Sequence, residues 1–407
     1  MKPVVHKQSV IMLSPEPPYP LHGGGAYRTA SLVHYFSRFA DVDLILISES
    51  GRPALLPPGL VRSQKVIPLP PHARGPLARY FRNARRAVRG VPPLIDRLGG
   101  LDAAIIEAIG ASRYEIGVVE HFWCAPYVER MRSVCDRTVL DLHNIESVLH
   151  ERCARVERGL VALGHRRFAA VSRKLETELL PRFSLVLATS EADAGRVAHL
   201  APAARVEVYP NALPWVPRPR EEPQQALVFS ANFEYHPNID AVHFLVSEIW
   251  PEVKKRHPGL RLKLVGRGDR SIRHLVGAGP DIEVTGPVAD AFREIASAAI
   301  VVAPLRAGSG TRIKILEAWA AGRPVVATLV AAEGLLVRDG RNIVLAPDAA
   351  GFAGAIGRLL GDPAEAQRIA LSGRHTFERH YTWEAAWANL DANLQVTRIT
   401  ELNRYTG

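Results

Sequence analysis

The chain has 407 residues, of which 47% are hydrophobic and 23% charged, values that exclude a disordered chain and predict a globular protein. Its length predicts about two domains. The 51 Lys and Arg against 41 Asp and Glu give a net charge of +10, and two segments, residues 72–97 and 151–174, hold this excess. The uneven distribution excludes a uniformly basic, histone-like particle, and without an RNA-binding signature we expect no nucleic acid as a partner.

Cysteine usage and hydropathy indicate the compartment. Cys124, Cys135 and Cys153 form no Cys-x-x-Cys pair, which predicts reduced thiols rather than a disulfide framework. No apolar run approaches the ~18 residues of a membrane-spanning helix. The first residues contain no signal-peptide core. We therefore expect a cytoplasmic protein.

Short β-branched apolar runs alternate with longer amphipathic segments along the first half of the chain. The predicted strands are residues 10–13, 42–47, 116–119, 138–142 and 185–189. This alternation is typical of an α/β domain with a parallel sheet. Between the first strand and a predicted helix over 26–39 lies PEPPYPLHGGG, in which Gly24 and Gly25 would let a phosphate approach the backbone. A plain flexible loop is the alternative.

A basic amphipathic helix is predicted over residues 77–88. Apolar residues 77, 80, 81, 84 and 88 share one face, and arginines recur on another: Arg79, Arg82, Arg86 and Arg89. Such a helix is typical of a segment that lies on an anionic membrane surface. An ordinary solvated helix over a core is the alternative.

The chain divides near a segment rich in proline. We interpret residues 212–225 as a linker between an N-terminal domain, 1–211, and a C-terminal domain, 226–381. The alternation restarts there, with predicted strands at 226–230, 262–265, 282–285, 300–303 and 324–328. The predicted fold class is α/β, with two Rossmann-like doubly wound domains facing a central cleft. A helix in 382–407, carrying Trp383 and Trp387, is predicted to pack back on the N-terminal domain.

The segment LRAGSGTRIKILEAWAA, residues 305–321, follows a predicted strand. Its loop amides could cradle a diphosphate: those of Gly308, Ser309, Gly310 and Thr311. Arg312 or Lys314 would add positive charge, and Glu317 could accept hydrogen bonds from the hydroxyls of a ribose. A capped helix with a solvated charged face is the alternative.

LEAWAAGRPVVAT, residues 316–328, resembles the most recognisable motif of the retaining GT-B glycosyltransferases of family 4, the glycosyl transferases group 1. VEVYPNAL, LVGRGD and EVTGPVAD resemble three further segments of that family. The resemblance implies a GT-B fold and the transfer of a hexose from a nucleotide-diphosphate sugar to a glycan or lipid-linked acceptor. It implies retention of configuration, no cofactor, and a place in cell-surface polysaccharide or glycoconjugate biosynthesis. The basic helix over 77–88 predicts a peripheral location on the inner face of the membrane.

Carried over onto this sequence, the resemblance assigns Glu317 to the donor ribose. It also implies donor-side positions at Asn232, Gly266, Arg267, Gly286 and Val288. Ser309 stands where the family usually has its first motif glutamate. Asn232 and Asn238 stand where the family has an Arg and a Lys that grip the diphosphate, and we expect Arg312 and Lys314 to replace those cations.

His143, in DLHNIE, matches the histidine that many members place beside the donor sugar; a structural histidine at a strand end is the alternative. His121 is a second candidate. Neither an Asp-x-Asp run nor zinc-ligand spacing appears, so we expect no metal. A nucleotide-sugar 2-epimerase of the same fold and a non-catalytic nucleotide- or glycan-binding relative remain alternative functions.

Overall fold

The computed structural model describes residues 7–71, 75–220, 222–277, 280–308 and 313–394, and the chain forms two compact units. Unit 1 contains the chain up to Asn211 and again from Ala386, and unit 2 is Ala212–Ala385. Residues 212–225 therefore group with unit 2, where Leu213 forms a β-bridge with Thr382.

Parallel strands form one sheet in the described part of unit 1, in the order β3-β2-β1-β4-β5-β6-β7. Their bounds are β1 Gln8–Ser14, β2 Ala40–Ser48, β3 Ser63–Pro68, β4 Tyr114–Glu120, β5 Cys135–Leu142, β6 Leu185–Ala188 and β7 Val206–Val208. The central strands are buried along most of their length because helices cover both faces of a doubly wound sheet.

Helices connect these strands in unit 1. They are α1 Gly24–Ser37, α2 Pro76–Arg89, α3 Pro93–Leu98, α4 Asp102–Ile109, α5 Val128–Val134, α6 Glu146–Val156, α7 Gly159–Leu179 and α8 Glu191–Leu200. Short 3-10 turns span Phe122–Tyr127 and Leu180–Arg182. Helix α7 packs along α6, and α2 lies against α7.

Unit 2 contains a second parallel sheet, which in the described residues has the order β10-β9-β8-β11-β12-β13. Its strands are β8 Ala226–Ser230, β9 Arg261–Val265, β10 Ile282–Gly286, β11 Ile300–Ala303, β12 Val325–Ala327 and β13 Val344–Leu345. Its helices are α9 His236–Phe244, α10 Trp250–Arg256, α11 Ala291–Ala296, α12 Ile313–Ala320, α13 Leu329–Ala332, α14 Ala349–Gly361 and α15 Pro363–His380.

Three shorter helical segments complete unit 2. A π turn, Leu245–Ile249, joins α9 to α10, and 3-10 turns span Asp269–Ser271 and Arg273–Leu275.

The last described helix, α16 Trp383–Leu394, begins in unit 2 and ends in unit 1. Within unit 1 the indole N–H of Trp387 donates to the Ser31 hydroxyl at 3.0 Å, and the Tyr35 hydroxyl donates to Asp391 at 3.1 Å. These contacts join the end of the chain to α1. The rest of the predicted segment, residues 395–407, lies outside the described residues.

The sequence prediction of two parallel-sheet α/β domains is confirmed. Every predicted strand is present, with ends that differ by a few residues. Three strands were not predicted, namely β3, the three-residue β7, and β13. β3 is a sheet-edge strand that mixes polar residues with a proline, and β13 has only two residues, so neither shows an apolar periodicity.

Candidate functional site

The carboxyl ends of adjacent strands β4 and β5 bring three polar side chains together in unit 1. Glu120 ends β4, Asp141 lies opposite it in β5, and His143 follows β5 directly. His143 Nε2 lies 2.8 Å from Glu120 Oε2 and 3.2 Å from Asp141 Oδ2. All three side chains are buried. His143 is therefore held by carboxylates at one ring nitrogen.

Arg28, a buried residue of α1, fixes Asp141 from the other side. Its Nε donates to both carboxylate oxygens at 2.9 and 2.8 Å, and its Nη2 donates to Oδ1 at 2.5 Å. Nη1 donates to the Tyr209 carbonyl at 2.7 Å and to Asn211 Oδ1 at 2.9 Å. The Arg28 guanidinium therefore connects α1 to β5 and to the segment that contains Tyr209 and Asn211.

The two carboxyl groups of this cluster have opposite electrostatic environments. Burial and the neighbouring Asp141 carboxylate raise the pKa of Glu120 well above its ordinary value. Burial would also raise the pKa of Asp141, but the charges and hydrogen bonds of Arg28 and His143 hold it well below its ordinary range. The arrangement favours a protonated Glu120 beside an ionised Asp141.

His121 is held in a stack of rings at the end of β4. Its ring centroid lies 3.5 Å from that of His143 and 4.2 Å from that of Trp123, with interplanar angles of 25° and 9°. Its backbone has φ 64°, an uncommon conformation for a residue with a Cβ. Burial lowers the pKa of His121, which favours the neutral ring. The second histidine candidate therefore lies directly against the first.

Glu120, Asp141 and His143 each offer a ligand atom, and these atoms lie within 4.8 Å of one another, close enough to hold a metal ion. Arg28 already donates to both oxygens of Asp141. A divalent cation here would lie beside a buried guanidinium, and the two positive charges would repel each other. The donor set therefore does not fit a metal ion.

The glycine segment lies partly inside α1. Gly24 and Gly25 are the first two residues of that helix, whereas the prediction placed them in the loop before it, and the Glu16 side chain lies over Gly25. A Cβ placed on Gly25 would be 1.7 Å from Glu16 Oε2. A carboxylate of the chain itself therefore lies against Gly25, and a phosphate at Gly24 and Gly25 stays a prediction.

In unit 2 the segment after β8 begins the predicted donor site. The Asn238 amide donates to the Asn232 carbonyl at 2.8 Å, which ties α9 back to the end of the strand. Lys314 Nζ donates to Asn238 Oδ1 at 3.0 Å and lies 4.7 Å from the centroid of the Phe229 ring. The structure therefore places the ammonium group of Lys314 at Asn238, one of the two positions where the resembled family has a cation.

Glycines let the neighbouring strand ends approach closely. Gly266 follows β9 with φ 139°, and a Cβ there would lie 1.9 Å from the Ala231 carbonyl oxygen. Its N–H donates to the Gly286 carbonyl at the end of β10. Arg267 extends towards solvent, with Nε 3.9 Å from Glu234 Oε2, and Val288 is partly buried. The predicted donor-side residues Asn232, Gly266 and Gly286 thus follow or end three adjacent strands.

Glu317 lies in α12, one helical turn after Lys314. Burial raises its pKa to about 7, and the nearby Lys314 charge opposes this rise. Within the described part of the chain, no hydrogen bond to the Glu317 carboxyl group is present. Gly308 has φ 122° at the end of the described loop. Ser309, Gly310, Thr311 and Arg312 lie outside the described residues.

In helix α2 one predicted surface arginine is buried, and two residues of the predicted apolar face are exposed. Arg86 is buried, and its Nε donates to Asp96 Oδ2 at 2.7 Å, while Arg89 Nη1 lies 3.8 Å from Asp96 Oδ1. The apolar Phe81 and Val88 are 68% and 84% exposed. Arg86 thus supports the fold rather than a surface. Arg82 is partly buried, and the side chain of Arg79 lies outside the described residues.

The predicted site omitted Arg28, Glu120 and Asp141. The available signals were EHFW and DLHNIE, in which acids lie beside the two candidate histidines at strand ends, and a lone arginine in the otherwise uncharged helix over 26–37. Among the residues that the structure describes, no helix is long and apolar enough to cross a membrane.

Residues 224–362 match the family model Glycosyl transferases group 1. The chain is 31% identical over 171 residues to an exopolysaccharide phosphotransferase of Streptomyces coelicolor, covering 40% of this chain and 18% of that protein. It is 34% identical over 139 residues to the phosphatidyl-myo-inositol mannosyltransferase of Mycobacterium leprae, covering 33% of this chain and 37% of that protein. The chain thus spans well under half of these relatives.

Solved structures match nearly the whole chain. Sucrose-phosphate synthase from Thermosynechococcus elongatus has a TM-score of 0.74 at 18% identity and covers 96% of this chain and 98% of its own. HepE from Anabaena, in complex with UDP and glucose, has a TM-score of 0.63 at 17% identity and covers 96% and 100%. These matches confirm the fold class, and the family match confirms the resemblance over residues 224–362.

Proposed function

We propose that this chain, a GT-B fold with a glycosyl transferases group 1 region at residues 224–362, is a retaining glycosyltransferase. It would move a hexose from a nucleotide-diphosphate sugar to a glycan or lipid-linked acceptor. One observation carries the proposal: Lys314 donates to Asn238, which is itself tied to Asn232 after β8, and the buried carboxyl group of Glu317 lies one helical turn further along α12.

The donor side of the reaction follows from these groups. Lys314, together with Arg312 in the adjoining loop, would stabilise the negative charge that builds on the leaving diphosphate. Glu317 would accept hydrogen bonds from the ribose hydroxyls. Because side-chain cations supply the positive charge, the proposed reaction needs no divalent metal.

The proposed transfer balances without a covalent enzyme intermediate. The bond between the anomeric carbon and the diphosphate oxygen breaks, and the acceptor oxygen forms its bond on the same face of the sugar. The acceptor proton passes to the leaving diphosphate. In this scheme His143 lies beside the donor sugar, held in one orientation by Glu120 and Asp141.

The functions named for similar proteins support a role in surface polysaccharide or glycoconjugate synthesis. One of them is the lipopolysaccharide core biosynthesis glycosyltransferase LpsE of Rhizobium meliloti, 33% identical over 153 residues. The exposed apolar residues of α2 and its remaining arginines support a cytoplasmic chain that associates with the inner face of the membrane and receives a lipid-linked or otherwise anionic acceptor.

Turnover of a nucleotide-sugar panel tests this proposal. Sugars of UDP, GDP, dTDP and ADP are incubated with the chain and with glycan or lipid extracts, and nucleotide release and product anomer are followed by NMR. We expect acceptor-dependent release and a product with the donor's anomeric configuration. Epimerisation of the donor alone would favour the 2-epimerase, and binding without transfer or hydrolysis would favour a non-catalytic relative.

A further inference from the structure

The start of α7 exposes a cluster of aliphatic side chains. Leu160, Val161 and Leu163 are 71%, 54% and 60% exposed, within four consecutive positions of unit 1. Single exposed aliphatic residues are ordinary, but a group at the tip of a helical hairpin is not. The tip, defined here as residues 158–164, which include the first turns of α7, therefore has an exposed apolar surface.

Cations surround this tip. Arg158 precedes α7 and is exposed, and Arg155 and Arg166 line a cavity of about 660 Å³ between α6 and α7. Arg173, which also lines the cavity, is paired with Glu151. Among the described residues, Arg155 and Arg166 have no hydrogen bond or ion pair. Two guanidinium groups therefore remain available to an anion beside the apolar tip.

Helix α2 extends the same kind of surface. Arg167 Nε of α7 donates to the Ala87 carbonyl of α2 at 3.4 Å, so the two helices are in contact. Phe81 and Val88 of α2 are also exposed. A nucleic acid would satisfy the arginines but not the aliphatic side chains. A bilayer of anionic phospholipid satisfies both, with acyl chains for the apolar residues and phosphates for the cations.

We infer that the α6–α7 tip docks on an anionic phospholipid bilayer. Leu160, Val161 and Leu163 enter the boundary between headgroups and acyl chains. Arg155 and Arg166 bind lipid phosphates at the cavity, and Arg158 binds another lipid phosphate beside it. This inference rests on the proposed function for its choice of a membrane partner, and it assigns the contact to α6 and α7 in addition to the exposed Phe81 and Val88 of α2.

Vesicle flotation of the full chain tests the inference. Vesicles of phosphatidylcholine, with and without phosphatidylglycerol, are used at physiological salt. We expect the wild type to float with the phosphatidylglycerol vesicles only. The triple variant Leu160→Ser, Val161→Ser, Leu163→Ser should bind about 10-fold more weakly, because it loses the apolar contribution to partitioning. The matched control is Leu329→Ser with Leu336→Ser, two exposed leucines of unit 2.

A second pair of variants separates the charges from the apolar residues. Arg155→Gln with Arg166→Gln should weaken binding and reduce its salt dependence, since fewer cations contact lipid phosphate. Arg341→Gln with Arg379→Gln, both exposed in unit 2, removes the same net charge elsewhere and should leave binding unchanged. Equal losses in both pairs would contradict a local site, since they would show an effect of net charge alone.

Two outcomes overturn the inference. One is a wild type that does not bind phosphatidylglycerol vesicles, or a triple serine variant that binds them as the wild type does. The other is a change in oligomeric state on serine substitution, measured by light scattering, which would assign the tip to a second copy of the chain. Nucleotide binding measured by thermal shift on the same samples keeps this test separate from the proposed function, because either property can fail without the other.

Discussion

The two sheets of the molecule carry different kinds of polar groups at their carboxyl ends. In unit 1 the groups are buried and bonded to one another, as Arg28, Asp141 and His143 show. In unit 2 the groups are sparse, and Glu317 has no hydrogen bond within the described residues. A cluster of polar side chains is therefore not by itself a ligand site. Unit 1 holds its own charges in place, whereas in unit 2 we propose that Glu317 contacts a ligand.

The physical reason is the cost of burying charge. An ionised carboxylate away from water is stable only if a cation and hydrogen bonds compensate for lost solvation, as Arg28 does for Asp141. A binding site instead needs groups that are positioned but still able to accept a partner. Glu317, whose pKa burial raises to about 7, meets this description.

Replacing Arg28 should give the largest effect. Arg28→Ala leaves Asp141 buried without its cation, and we expect a loss of about 3–5 kcal/mol in the free energy of unfolding, measured by urea denaturation. Arg130→Ala is the control, because Arg130 pairs with Asp102 at the surface, with both side chains about half exposed. That change should cost less than about 1 kcal/mol. Similar costs for both variants would refute the contrast drawn between buried and exposed pairs.

Glu176 provides a second contrast inside unit 1, because it is a buried acid with no ion pair among the described residues. It accepts a hydrogen bond from the Ser147 backbone N–H at 3.1 Å, and burial raises its pKa to about 7. The folded chain therefore holds this proton more tightly than the unfolded chain. Stability from this group is present below the unfolded pKa of ~4.5 and is lost as pH rises to about 7.

Glu176→Gln should therefore act differently at two pH values. The amide mimics the protonated acid, so we expect little change in unfolding free energy at acidic pH and a gain of about 2 kcal/mol at mildly alkaline pH. Thermal denaturation across this range gives the measurement. A pH-independent effect of the substitution would contradict the raised pKa.

Replacing Lys314 should weaken ligand binding without unfolding the chain. Lys314→Ala should raise the Kd for the cognate nucleoside diphosphate about 10-fold, because one charge-assisted hydrogen bond to phosphate is lost. Lys255→Ala, an exposed lysine of α10, is the matched control. Calorimetric titration provides both affinities, and an unchanged Kd for Lys314→Ala would remove this residue from the site.

Chelation of divalent metal ions should not change the affinity for the nucleoside diphosphate. The proposal assigns the neutralisation of the diphosphate to side-chain cations, so the Kd for the nucleoside diphosphate should be equal in EDTA and in Mg²⁺. Titrations in the two buffers measure it. Binding that requires Mg²⁺ would show that a metal bridges the phosphates and would overturn the metal-independent scheme.

How much the sequence could predict depends on how far apart the interacting residues lie. Lys314 and Glu317 are neighbours on one helix, so their segment alone indicated a candidate donor site. Arg28 and Asp141 are separated by 113 positions, and only the fold brings them together. Similarly, the periodicity of α2 predicted which residues share a face. It could not predict that Asp96 would draw Arg86 inward and leave Phe81 exposed.

The fold itself was predictable because buried parallel strands require continuous β-branched runs, which are visible locally. The environment of Gly25 was not predictable, because the carboxylate that lies against it belongs to Glu16, nine positions earlier in an irregular segment. Glycines thus indicated a close approach but not which group makes it.

We propose that unit 2 binds the donor nucleotide. Calorimetric titration of a nucleotide panel into the wild type and into Glu317→Ala tests this proposal. UDP, GDP, dTDP, ADP and their sugars are the ligands. We predict that one nucleotide binds the wild type with one-to-one stoichiometry and binds Glu317→Ala about 30-fold more weakly, equivalent to about 2 kcal/mol. Equal affinity for both proteins, or no binding by the wild type, would contradict the account.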